Sequence, residues 1–131
     1  MLGIGGRRLA LGLGLALGPG CAGGGFEPPT RGADIEGVIT RVTPASGEAA
    51  ARGDALGTVL VEEEPGTTYG SRKISFKVTA GTRLLRWNAD AAGYGTFEFT
   101  DLRVGARVRA WADGPIAESY PEQATAGTLV M

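Results

Sequence analysis

Lys73-Ile74-Ser75-Phe76-Lys77-Val78 alternates polar and apolar residues without a break. In an extended chain successive side chains point to opposite sides, so Ile74, Phe76 and Val78 share one face and Lys73, Ser75 and Lys77 the other. This period predicts a half-buried strand, and the stretch is the cleanest such signal in the chain. Working outward, Thr58-Val59-Leu60-Val61-Glu62 predicts a second strand, with Pro65-Gly66 as the turn between the two. Further upstream, Ile35–Val42 is β-branched and partly alternating. Gly37 inside it predicts a bulge or tight bend, and Pro44 ends it. Ala45–Gly57 reads as a loop, with room for one helical turn over Glu48–Arg52.

On the other side the pattern is less regular. Thr82–Trp87 fits either a strand or a short helix, and 88–95 reads as a loop. Arg107-Val108-Arg109-Ala110-Trp111-Ala112 predicts a strand with Val108 and Ala110 on one face and Arg107, Arg109 and Trp111 on the other. Asp113-Gly114 is a turn signal. Ile116–Pro121 connects to a last strand over 124–131. Five short strands, a longer interruption between the third and fourth, and a glycine in the first predict an all-β domain, a five-stranded OB-like Greek-key barrel. A small β-sandwich or an open sheet is the alternative.

The N-terminus reads differently. Arg7 and Arg8 precede the nine-residue apolar run Leu9–Leu17, followed by Gly18, Pro19 and Gly20 and then Cys21, the only cysteine. Charge, short apolar segment and small-residue cleavage site together predict a secretory signal over 1–20. A permanent span needs about 20 apolar residues, so this run is too short to be one. The segment resembles a bacterial lipobox, which implies acylation of Cys21. It departs from the usual pattern at Gly18, where a leucine is expected, and at Pro19. Cleavage nearby without acylation, giving a secreted or periplasmic protein, is the alternative. Arg7-Arg8 also resembles a twin-arginine signal without completing it. Residues 21–33 are rich in Gly and Pro and read as a flexible tether. One domain, 34–131, remains.

Composition narrows the function classes. Without Arg7 and Arg8, 11 of the 13 basic residues face 14 acidic ones, a formal net charge of −3. A mildly acidic domain is a poor generic phosphate binder. There is no histidine, which removes Ser-His and Cys-His nucleophiles and histidine–cysteine metal sites. Glu62-Glu63-Glu64 does not converge on a cation, because neighbouring strand residues face opposite ways. No motif calls for a cofactor or a metal.

The candidate ligand-binding residues are a polar–aromatic set: Arg72, Lys73, Arg86, Trp87, Arg107, Arg109 and Trp111, with Lys77 and Tyr94 beside them. Arginine and aromatic side chains together stack on bases or sugars. The competing reading makes both tryptophans core and the cations a solvated face.

Phe99-Thr100-Asp101-Leu102-Arg103-Val104-Gly105-Ala106-Arg107-Val108, followed by Asp113-Gly114-Pro115-Ile116-Ala117-Glu118-Ser119-Tyr120-Pro121-Glu122-Gln123-Ala124, resembles the YobA-like family of small exported bacterial domains of unknown function. The resemblance implies an OB-like barrel and an envelope location, and carries no activity. The physical reading of its loop residues is structural. Gly105 and Gly114 permit tight turns, Tyr120-Pro121 an extended bend, and Glu118 and Ser119 hydrogen bonds to loop backbone.

Together these readings predict a membrane-tethered, non-catalytic binding module of the cell envelope. Its partner would be an envelope protein, peptide or glycan. An oligonucleotide- or oligosaccharide-binding OB domain and a carboxylate-dependent hydrolase are the alternatives; export and net charge disfavour nucleic acid.

Overall fold

The structure is a computed structural model, and it describes residues 26–64 and 71–131. The segment 1–20 that reads as a secretory signal, Cys21 and the predicted turn at Pro65-Gly66 lie outside the described residues. Strand β1 (Ile35–Pro44) is followed by helix α1 (Gly47–Arg52), β2 (Ala55–Glu62) and β3 (Lys73–Thr79). Then come the hairpin β4 (Arg83–Asn88) and β5 (Gly93–Thr96), a 3-10 turn (Phe99–Asp101), β6 (Arg107–Ala112) and β7 (Glu122–Val130). β1 pairs with β2 through its second half and with β6 through its first, both antiparallel. β2 and β3 are antiparallel, β3 runs parallel to the start of β7, and β7 is antiparallel to β6. The ring β1–β2–β3–β7–β6 is therefore closed, with the OB-like strand order expected from the sequence.

β1 serves two sheets, and its sequence allows this at two points. A Cβ on Gly37 would lie 2.2 Å from the Glu62 carbonyl oxygen, so only glycine lets β1 pass that close to the end of β2. The pairing register then shifts between Ile39 and Arg41. The extra residue, Thr40, donates its hydroxyl to Glu62 Oε2 at 2.6 Å. The bulge thus falls three residues beyond the glycine that predicts it. Gly105, at φ +98°, holds a conformation that favours glycine and gives its N–H to the Ile39 carbonyl, fastening the turn before β6 to the bend in β1.

The alternation of β3 is realised: Ile74, Phe76 and Val78 are fully buried between the sheets. They meet Ile35 and Ile39 of β1, Val59 and Val61 of β2, Val108 and Ala110 of β6 and Leu129 of β7. Burying side chains of this size contributes roughly 1.5–3 kcal/mol each before conformational entropy is subtracted.

Two sequence expectations are resolved or corrected downstream. Thr82–Trp87, ambiguous by period, is a strand over Arg83–Asn88 that runs parallel to the end of β7. Residues 88–95, expected to be a loop, include the first three residues of the four-residue strand β5. The Asn88 side chain accepts the N–H groups of Asp90 and Ala91 and turns the chain back. β5 then pairs along β4, setting Tyr94 opposite Trp87. Gly-Tyr-Gly-Thr has little strand propensity of its own; the pairing and packing of Tyr94 hold it. This hairpin fills the interruption between the third and fourth barrel strands.

Candidate functional site

The core lies between two sheets, so the barrel has two outer faces on opposite sides. One belongs to the second half of β1 with β2, β3 and the start of β7. The other belongs to the first half of β1 with β6, the end of β7 and the β4–β5 hairpin. The candidate residues divide between them.

On the second face, Leu85, Trp111 and Val130 form a small apolar cluster outside the barrel, covered by Ala33 and Tyr94. Trp111 is 2% exposed, and its indole N–H donates to the Arg31 carbonyl at 2.8 Å. It is packed and satisfied rather than presented to a ligand. The face assigned to it from the sequence is correct; its burial comes from the chain laid across it. Arg31 donates to the Ala112 carbonyl at 3.1 Å and to Asp34 at 3.2 Å, and Asp34 accepts the Ala112 N–H. Further back, the Glu27 carbonyl accepts a hydrogen bond from Arg83 at 2.7 Å. The described part of the segment read as a tether is therefore fastened to this face. Arg109 sits 5.4 Å from the Trp111 ring and reaches the Tyr94 hydroxyl at 3.4 Å. Trp87 stands edge-on to Tyr94, with ring centroids 5.1 Å apart, and is 51% exposed. Arg107 is exposed on the same face and forms no ion pair among the described residues. Arg86, one residue before Trp87, faces the other way and lies over the Phe97 ring at 5.5 Å.

Arg72 and Lys73 belong to the edge near the start of β7. Arg72 donates to Glu122 at 2.6 Å and to the Asp34 carbonyl at 2.7 Å, joining the starts of β3, β7 and β1. The hydrogen bond with Glu122 holds its guanidinium above the ordinary value; partial burial opposes this, and the charges of Glu122, Glu63 and Asp34 add to it. A base with a raised pKa stabilises the fold fully below its unfolded value and loses that contribution only as pH rises through the folded one. Arg72 is thus no switch in the neutral range. Lys73 pairs with Glu62 at 3.6 Å and lies 5.4 Å from the Tyr120 ring, which is 70% exposed.

From there a continuous strip crosses the first face. A shallow hollow of about 80 Å³ is lined by Arg41, Thr43, Thr58, Leu60, Ser75 and Pro121. Sharing Thr43 and Thr58 with it, a second of about 310 Å³ runs beside Ala45, Ser46 and Lys77. A third, about 400 Å³, continues from Lys77 to Asp113, Pro115, Gln123 and Thr125. These are the polar partners of the alternating stretch that predicts the fold, with loop residues at both ends. Sequence reasoning singled out Lys73 and Lys77 here but passed over Arg41, Ser75 and Gln123. The outward positions of three predicted strands, taken as one set, are the signal that points to them.

The motif loop is built as a local structure. Gly114 has φ +94°. Ser119 donates to the Pro121 carbonyl at 2.6 Å, and Ala117 and Gln123 exchange backbone hydrogen bonds across the loop. Glu118 is exposed and Tyr120 projects from the loop's far end.

No curated protein and no solved structure matches the chain. Residues 87–129, from Trp87 through the hairpin, β6 and the motif loop into β7, match a family described as a protein of unknown function (DUF3221).

Proposed function

We propose that the protein is an exported binding module, held at a bacterial membrane through Cys21, with no catalytic role. Its ligand is an extended peptide or glycan of the envelope, seated on the outer face of β1–β2–β3. The observation that carries this reading is the continuous strip from Pro121 to Asp113, with the exposed Tyr120 ring beside its first end. It is shallow, mixes hydroxyls, an amide and aliphatic carbon with Arg41 and Lys77, and follows the strands' own length. Such a surface suits a chain-like ligand that offers hydrogen bonds and thin apolar edges; it lacks the enclosure a small substrate needs. OB barrels bind oligomeric ligands on the corresponding strands and loops. The resemblance of the C-terminal third to the YobA-like family implies an envelope domain; the family model matched over 87–129 is of unknown function and assigns no location.

The hydrolase alternative has less support. The partly buried carboxylates already serve the fold: Glu62 holds Thr40 and Lys73, Glu122 holds Arg72, and Asp34 holds Arg31 and the Ala112 N–H.

Acylation is tested by metabolic labelling with a fatty acid: label appears in the native protein and is lost in Cys21→Ser. Label that survives the substitution removes the anchor from the account. Binding is tested by titrating the isotope-labelled processed chain with muramidase-released peptidoglycan fragments, which carry both glycan and peptide. Amide shifts are expected around Ser75, Lys77, Tyr120 and Gln123. Lys77→Ala and Tyr120→Ala should weaken binding while leaving stability within about 0.5 kcal/mol, as surface changes do. Shifts confined to the opposite face would refute the site.

A further inference from the structure

We propose that the opposite face, that of β6, β7 and the β4–β5 hairpin, lies against an anionic bilayer surface. The proposal rests on the anchoring of Cys21 argued above and adds an orientation to it. The chain leaves the barrel on this face, because Glu27 is held by Arg83, and Arg31 is held at Ala112. Glu27 lies six residue steps after Cys21. Fully extended they reach about 20 Å. With its lipid in the membrane, the chain cannot set this face farther from the surface than that, while the β1–β2–β3 face is turned away.

The side chains presented there fit the surface they would meet. Phe26 and Trp87 are exposed, at 53% and 51%. Aromatic rings of this kind settle at the headgroup level of a bilayer. Arg107 and Arg109 stand two residues apart on β6 and face outward. Glu36, directly opposite Arg109 on β1, and Glu27, where the chain leaves the barrel, are acidic residues on this face, and neither arginine forms an ion pair with Glu36. Basic residues near an anionic membrane surface are attracted to it within a Debye length. A domain whose overall charge is −3 would otherwise be repelled by that surface, so it is the placement of these arginines that makes the contact favourable.

The test uses the mature chain purified from membranes and reconstituted into vesicles of phosphatidylglycerol and phosphatidylethanolamine. Its intact mass reports acylation, and the emission of Trp87 reports the face. Trp111 is buried and gives a constant background, which the Trp87→Phe variant measures separately. The expected result is an acylated chain whose Trp87 emission moves to the blue and is quenched by a headgroup spin label. Both changes should shrink in phosphatidylcholine vesicles and in Arg107→Glu. An acylated chain whose Trp87 stays accessible to an aqueous quencher overturns the orientation and leaves the anchor standing. A chain without acyl groups overturns both. Shielding found in native membranes but absent from protein-free vesicles assigns the face to a protein partner and overturns the lipid assignment.

Discussion

The two outer faces of the barrel are built on the same alternation and finished in different ways. On β1–β2–β3 the outward positions hold Thr58, Leu60, Ser75 and Lys77, and they border an open polar strip. On β6–β7–β4 they hold Trp111, Val130 and Leu85, which are buried beneath Tyr94 and the chain around Arg31 and Ala33. The first face gains little stability and keeps its side chains available. The second is a small supplementary core whose margin, at Phe26, Glu36, Trp87 and Arg107, meets solvent. A barrel of this size thus separates stabilising surface from available surface by laying a short length of chain over one side.

The contrast makes unequal demands on similar residues. Trp111→Ala should cost about 3–5 kcal/mol, as large core truncations do, whereas Trp87→Ala should cost less than about 1.5 kcal/mol, the contribution of its edge contact with Tyr94. Urea denaturation followed by circular dichroism measures both, and equal costs would erase the distinction between the faces. Gly37→Ala should come next, at about 1–3 kcal/mol. The added methyl meets the Glu62 carbonyl where β1 passes from one sheet to the other. The same denaturation experiment checks it; a neutral result would mean that β1 bends elsewhere. Arg31→Ala should cost at most about 1 kcal/mol, since its side chain is more than half exposed. It should nonetheless loosen the covering chain, read as a red shift of Trp111 emission and faster proteolysis between 26 and 34. Unchanged emission would show that Ala33 and Tyr94 suffice as cover.

How much of this was legible in the sequence follows the same division. Alternation identifies β3 and β6, and β-branched runs identify β1 and β2, because each has one face in the shared core. The closed barrel followed from their number and from Gly37. The β5 strand was not legible: Gly93-Tyr94-Gly95-Thr96 acquires its extended form from pairing with β4 and from one tyrosine covering Leu85, Trp111 and Val130. Trp111 was placed on the correct face but offered as a ligand contact, because periodicity tells which way a side chain points and not what is laid over it. The covering residues 31–33 were read as tether for the same reason. Their fastening depends on one arginine and on backbone groups, which leave no periodic mark. The strip on the first face was half legible, through Lys73 and Lys77. Its remaining residues come from β1, β7 and a loop that only the closed topology brings together.

The claim that the two faces serve different neighbours is tested most directly by photocrosslinking in intact membranes. A photoreactive side chain replaces Lys77 in one variant and Trp87 in another, within the otherwise native full-length chain. The account predicts lipid adducts from position 87, and from position 77 adducts to envelope peptide or glycan with little lipid. Lipid adducts of equal yield from both positions, or from position 77 alone, would contradict it.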